Sequence, residues 1–319
     1  MTFDKDKLRE ECGQLMAGKT IPDCLVLVDI FLEYFFKVMS DHHDDKVDCQ
    51  SDADAKMINQ MMFTKLTHLK KIIEGVGFEP KDGKKLNPII DTTIVASLVR
   101  NIYETVALFN LIFVYSKSKA EKDIIYSLWV ISGLKYRQRF ASSITRPENE
   151  EKLKEEENLI QTSIKFVEDS EFYKGLSSAS RDKIQIKIKE RDYKISFENG
   201  EVKFLSWQDL STTLGCDEKL FSRIYTYFSL YSHPSHVAVL QFGDMFGKDS
   251  EDFKKLTAIN LKFCFAFLSS FIADYIKVFP QIKPTFEALP FRDQIMLNFH
   301  NKMVRGESYS INEAWKTLN

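Results

Sequence analysis

TTIVASLVRNIYETVALFNLIFVY, Thr92 to Tyr115, is the stretch on which the reading of the fold turns. Apolar side chains recur on nearly every face of a 3.6-residue repeat, which predicts a helix at the centre of a bundle. One stripe breaks the pattern. Ser97, Arg100, Asn101 and Glu104 fall on a common side, with Arg100 and Glu104 four residues apart. Burying an unpaired guanidinium or carboxylate is costly, so these groups must pair with each other or line a wet cavity. The sequence leaves both readings open: an ion pair that fixes helix register, or one wall of a working pocket.

Outward from this helix the same periodicity continues. It predicts helices at about 3–17, 22–40, 52–75, 88–117, 120–142, 148–170, 178–190, 206–213, 217–232, 250–279, 290–304 and 310–317. With only 12 Gly and 8 Pro in 319 residues, long regular elements are favoured over a turn-rich β protein. Pro22 suits a first helical turn, and Ser250 before Glu251-Asp252 suits an N-cap with an acidic first turn. YKISFENGEVKF (Tyr193–Phe204) alone reads as β, with Asn199-Gly200 between two alternating runs, the signal of a type I′ hairpin. The expected class is mainly α, a helical bundle with a small β-hairpin insertion. Residues 1–87 are expected as N-terminal helices packed on a core bundle of 88–319, with the hairpin inserted near 193–204. No internal repeat is apparent.

The net charge of −2 gives no global attraction to nucleic acid, so any such binding needs a local basic patch. Cys12, Cys24, Cys49, Cys216 and Cys264 are scattered, odd in number and without a CxxC pair, which reads as reduced thiols of a cytoplasmic protein. The opening MTFDKDKLREECGQLM mixes both charge signs and does not read as a signal peptide. Leu25–Met39 is short for a membrane span and carries Asp29, Glu33 and Lys37 in one stripe. Leu256–Phe279 is long enough, but Asn260, Lys262, Asp274 and Lys277 interrupt it. Both are expected to be buried helices, and no membrane partner is expected. The charged runs Asp41–Asp54 and Arg146–Asn158 read as solvated faces.

A second half for the pocket comes from DEKLFSRIYTYFSLYSHPSHV, Asp217 to Val237. On a helix over 217–232, Ser222, Tyr225, Ser229 and Ser232 share one side, with His233 close by. Pro234 disfavours helical geometry at His233, so the helix should end or kink there and present the ring beside orphan carbonyls. His233 and His236 make an HxxH to which Glu104 could add a carboxylate. The proline between them disturbs a common face, and no metal or other cofactor is expected. His42 and His43 fall in the acidic loop, and His68 and His300 are expected to be partly exposed or satisfied locally. Phosphate loops, GxGxxG turns, GxSxG elbows and EF-hand loops are absent.

VRNIYETVALFNLIFVY followed much later by YTYFSLYSHPSHV resembles a family of uncharacterised bacterial helical proteins. Its pattern is an Arg-x3-Glu helix and a later helix ending in a Tyr/Phe-x-His-Pro-Ser element. The matching positions are Arg100, Glu104, Tyr225, Ser229, His233, Pro234 and Ser235, across about residues 88–240. The resemblance implies a cytosolic helical bundle grouped with toxin and phage-defence proteins, without an assigned reaction. A looser similarity is to the HEPN superfamily of helical ribonucleases, in which an Arg precedes a His by four to six residues, usually paired across a dimer. Arg100-Asn101 is similar to the start of that motif. Val106 and Ala107 stand where the His would fall, so an Arg–His pair here would have to be assembled between two helices.

Two functions are therefore carried forward. One is a bacterial toxin- or phage-defence-type effector with a metal-independent RNA-cleaving site. Arg100 would stabilise phosphorane charge, His233 would move protons near neutral pH, and Glu104, Tyr225 and Ser229 would position the substrate. Its expected partners are RNA and either a second copy of the chain or a regulatory protein. The other is a non-enzymatic sensor or scaffold whose Arg/Glu/His cluster is structural. A common solvent cavity for Arg100 and His233 beside a basic surface would favour the first, and a closed core the second.

Overall fold

The computed structural model describes residues 4–83, 85–143, 146–244 and 250–318, and its internal contacts divide the chain into two units: Met1–Asn110 with Ser211–Asn319, and Leu111–Leu210. The mainly α class is as the periodicity predicts. The first unit opens with α1 (Lys5–Ala17), capped by Asp4. Next is α2 (Ile21–Asp41), where Thr20 and Asp23 form a capping box and Pro22 lies in the first turn. α3 (Gln50–Ile73) packs against α2.

A short antiparallel pair follows that the sequence did not reveal, β1 (Val76–Phe78) and β2 (Leu86–Ile89). Its strands are three and four residues long, too short to show alternation. Pro88 lies in β2, so the predicted helix start at 88 is too early. The helix begins instead after Asp91, whose Oδ1 accepts from Thr93 N at 2.8 Å and Ile94 N at 3.3 Å. This is α4 (Thr92–Phe113).

The second unit contains α5 (Lys119–Gln138), α6 (Pro147–Asp169), α7 (Glu171–Gly175) and α8 (Ser178–Glu190). It closes with the predicted hairpin, β3 (Ile195–Glu198) and β4 (Glu201–Phe204). Asn199 and Gly200 have φ of 52° and 81°, the pair of positive values that a type I′ turn requires. Lys183 and Ser180 of α8 tie the hairpin down by bonds to Val202. The charge run at the start of α6 is not wholly solvated. Glu156 is buried and bound in bidentate fashion by Arg137 of α5, because α5 and α6 pack along their length.

The chain then returns to the first unit through α9 (Leu210–Thr213), α10 (Glu218–Phe221), α11 (Ile224–Ser232), α12 (His236–Asp244), α13 (Ser250–Val278), α14 (Lys283–Glu287) and α15 (Phe291–Arg305). The single helix expected at 217–232 is broken at Ser222–Arg223, where Arg223 takes φ −124° and ψ 14°. α13 is the core of this unit and packs on α2 and α15. Phe265 stacks on Phe31 at 5.7 Å, Phe267 meets Tyr103 at 5.1 Å, and Phe271 meets Phe109 at 4.8 Å. By length and composition Thr92–Phe113 and Phe253–Val278 could each cross a membrane, yet 61% and 78% of their apolar windows are buried inside the protein.

The acidic segment after α2 also departs from a free surface loop. His42 is half-buried, with Nδ1 on Asp45 and Nε2 on Thr285 of α14, both at 2.8 Å. Lys56 clamps the same turn by donating to the carbonyls of His42 and Asp45.

Candidate functional site

The polar stripe of α4 resolves into a bonded cluster. Arg100 Nε donates to Glu104 Oε1 at 3.0 Å, and Arg100 Nη2 donates to Tyr225 Oη of α11 at 2.5 Å. The guanidinium also lies 4.6 Å from the centre of the Tyr225 ring. Tyr103 of α4 backs that ring at 6.2 Å. The side chains of Arg100 and Glu104 are 19% and 25% exposed, so the cluster is partly open to solvent rather than a dry core. The predicted meeting of Arg100, Glu104 and Tyr225 therefore occurs.

Ser229 and His233 do not join it. Ser229 Oγ donates back to the carbonyl of Tyr225 at 2.7 Å, the local bond that serines make inside helices. His233 caps α11 in an extended conformation (φ −118°, ψ 151°), and its ring is exposed. Among the described residues that ring has no hydrogen-bond or ion-pair partner, so it makes no such bond to Arg100, Glu104 or Tyr225. Pro234 ends the helix as expected. Ser235 then acts as a joint: its hydroxyl donates to Leu230 O of α11 at 2.8 Å and accepts from Ala238 N of α12 at 3.2 Å. In YSHPSH, the second serine is a cap and the first histidine is an exposed ring. His236 opens α12 and is also exposed.

Lys65 of α3 completes the cluster and has no signature in the sequence. Its Nζ donates to Thr105 Oγ1, beside Glu104. Burial lowers the Lys65 pKa from its ordinary value, and the Glu104 carboxylate opposes that fall. A second polar group in the same unit is fully internal. Asp274 of α13 pairs with Arg305 of α15 at 2.9 Å, with side chains 0% and 1% exposed, and Asn110 Nδ2 donates to Asp274 at 2.7 Å. Arg305 further donates to the carbonyls of Leu214 and Ser270. With each charge compensated, this group reads as structural. His300, expected to be partly exposed or locally satisfied, is neither. It is buried with both ring nitrogens unbonded, and burial pushes its pKa down to about 3.

The second unit carries a basic groove that the composition concealed. Lys135 in the last turn of α5 and Arg139, which caps that helix, line a hollow of about 620 Å³ with Lys189 and Arg191 from the end of α8. Gln138, Gln185 and Ile188 complete the lining, and among the described residues no acid contributes to it. None of the four cations makes an ion pair among the described residues. Their neighbours Arg137, Lys187, Lys194 and Lys203 are all paired, with Glu156, Asp192 and Glu198. Tyr136 in the last turn of α5 and Phe140 just beyond it are 55% and 58% exposed, with ring centres 6.3 Å apart. Arg139 lies 5.2 Å from the Tyr136 ring centre. The signal was present in LKYRQRF, Leu134 to Phe140, where basic and aromatic residues interleave.

No curated protein and no solved structure matches this chain. The sequence pattern of the family of unknown function DUF5677 matches residues 91–253, just over half of the chain, and this span includes α4, α11, the His-Pro-Ser joint and the basic groove. Membership of an uncharacterised family agrees with the expectation from the Arg-x3-Glu and His-Pro-Ser elements. The chain belongs to the DUF5677 family.

Proposed function

We propose that this chain is a helical effector of the toxin or defence type that engages single-stranded RNA. The observation that supports RNA is the groove of Lys135, Arg139, Lys189 and Arg191, four cations without an ion-pair partner among the described residues. Unneutralised cations side by side repel one another, and a phosphate backbone relieves that repulsion. Exposed Tyr136 and Phe140 add faces on which bases can stack. Fluorescence anisotropy with a labelled single-stranded RNA tests this. Wild type should bind, and Arg139→Glu with Lys189→Glu should weaken binding by about 100-fold, since each reversal turns an attraction into a repulsion. Unchanged binding by the folded double variant would remove the groove from the reading.

RNA cleavage by Arg100 and His233 is a further part of this proposal. It is favoured by the unpartnered His233 ring at the end of the helix whose Tyr225 touches Arg100. Arg100 would offset charge on the phosphorane, and His233 would take the 2′-hydroxyl proton. The non-enzymatic scaffold has its own support, because two donors of Arg100 are already engaged by Glu104 and Tyr225. His233→Ala separates the two, since an exposed ring can be removed without disturbing the fold. If the chain cleaves RNA, that variant should lose the activity, and chelators should leave wild type active. Activity undiminished in His233→Ala would leave the scaffold.

A further inference from the structure

A partly apolar hollow in the first unit shares no lining residue with the Arg100 cluster. It occupies about 730 Å³ where the start of α2, the end of α3 and the first half of α13 converge. That size is within the range of small-molecule sites. Ile21, Leu25, Ile73 and Ala258 supply an apolar floor. A hollow with such a floor, open to water, is costly unless something apolar fills it.

Its rim is cationic. Lys19, Lys254, Lys255 and Lys262 all line it, against a single carboxylate among the described residues, Glu74. Glu74 is already engaged by Lys71 at 2.9 Å and Lys70 at 3.9 Å. Lys19 and Lys262 have no hydrogen-bond or ion-pair partner among the described residues. Lys262 is half-buried, and its stem runs close to Gly18, where an added methyl would lie 3.6 Å from Cε. Lysines whose stems lie on apolar surface and whose ammonium groups reach a cavity mouth present charge to whatever the floor holds. The first turn of α2 does not serve as an additional anion site, because Thr20 and Asp23 already cap one another.

We propose that this hollow binds a small amphiphilic anion, its apolar body on the Ile21–Leu25–Ile73–Ala258 floor and its acidic head between Lys19 and Lys262. A neutral apolar molecule would leave the two ammonium groups unanswered, and inorganic phosphate would leave the floor wet. Both halves are needed. Such a site is independent of RNA engagement, so the two can fail separately.

Isothermal titration calorimetry of the full chain with decyl phosphate below its micelle concentration tests the proposal. Saturable one-to-one binding is expected. Decanol should bind about 10- to 100-fold more weakly, since it loses the contacts to both lysines. Inorganic phosphate should show no saturable heat. Lys262→Gln and Lys19→Gln should each weaken decyl phosphate by about three- to tenfold. Both positions reach solvent, so the folded state should survive, and unchanged circular dichroism is the control. Equal binding of decanol and decyl phosphate, or lysine variants that bind as wild type does, would overturn the assignment. Binding to phosphatidylglycerol vesicles without uptake of decyl phosphate would overturn it in favour of a membrane surface.

Discussion

The imidazole of His300 is 2% exposed, packs 5.6 Å from the Phe265 ring, and has neither nitrogen bonded. Burial is the main reason its pKa falls from 6.5 to about 3, with the positive charge of Lys262 adding to it. The unfolded chain therefore binds a proton between those two values that the folded chain refuses. Stability from this residue is fully present above pH 6.5 and is lost as the pH falls toward 3. The slope in that window is roughly 1.4 kcal/mol per pH unit. His300→Phe should remove this part of the pH dependence while keeping an aromatic ring against Phe265. Urea unfolding at neutral and mildly acidic pH measures it, and equal slopes for the two proteins would contradict the assignment. None of this was legible from a lone histidine in NFHNKMVR, because the desolvating neighbour is on α13. The Arg100–Glu104 pair was legible, since both partners lie on one helix face. The Asp274–Arg305 pair was not, being 31 residues apart.

At the scale of elements, two glycines with positive φ make different demands on the chain. Gly200 sits in the hairpin turn at φ 81° with open space where a Cβ would be. Gly215, after α9, has φ 74°, and a Cβ there would stand 2.5 Å from Tyr309 Oη. Tyr309 in turn covers the Arg305 guanidinium, 4.4 Å from its ring centre. Gly200→Ala should cost about 1 kcal/mol from backbone strain alone. Gly215→Ala should cost roughly 2–4 kcal/mol, because strain and overpacking add and Tyr309 must leave Arg305. Thermal denaturation orders the two, and a smaller loss at Gly215 would refute the packing argument. Asn199-Gly200 announced its turn because turn chemistry is local. Gly215 in TTLGCDE gave no such notice, since its constraint is a ring from a distant segment. The split of 217–232 into α10 and α11 was hidden for a related reason, as no Gly or Pro marks Ser222–Arg223.

Across the whole molecule, charge is nearly balanced at −2, and that balance hides where the charges are. In the second unit Lys119, Arg137, Lys174, Lys187, Lys194 and Lys203 each answer a carboxylate, while Lys135, Arg139, Lys189 and Arg191 share one groove. LKYRQRF at the end of α5 and KIKER at the end of α8 each supply two of these cations; the groove exists because α5 packs on α8. RNA bound there should release counterions as each cation meets a phosphate. With four such contacts on a single strand, the logarithm of the affinity should fall with the logarithm of salt at a slope of roughly −3. Raising monovalent salt from about 50 mM to about 200 mM should then weaken binding by roughly 50-fold. Arg139→Gln removes one contact, so its slope should be shallower by about 0.7 as well as its affinity lower. Tyr136→Ala should behave differently: a lost stacking face weakens binding by about 1–3 kcal/mol and leaves the slope alone. Equal slopes for wild type and Arg139→Gln would mean that the guanidinium meets no phosphate. The four cations would then be a surface feature of the second unit rather than its contact with RNA.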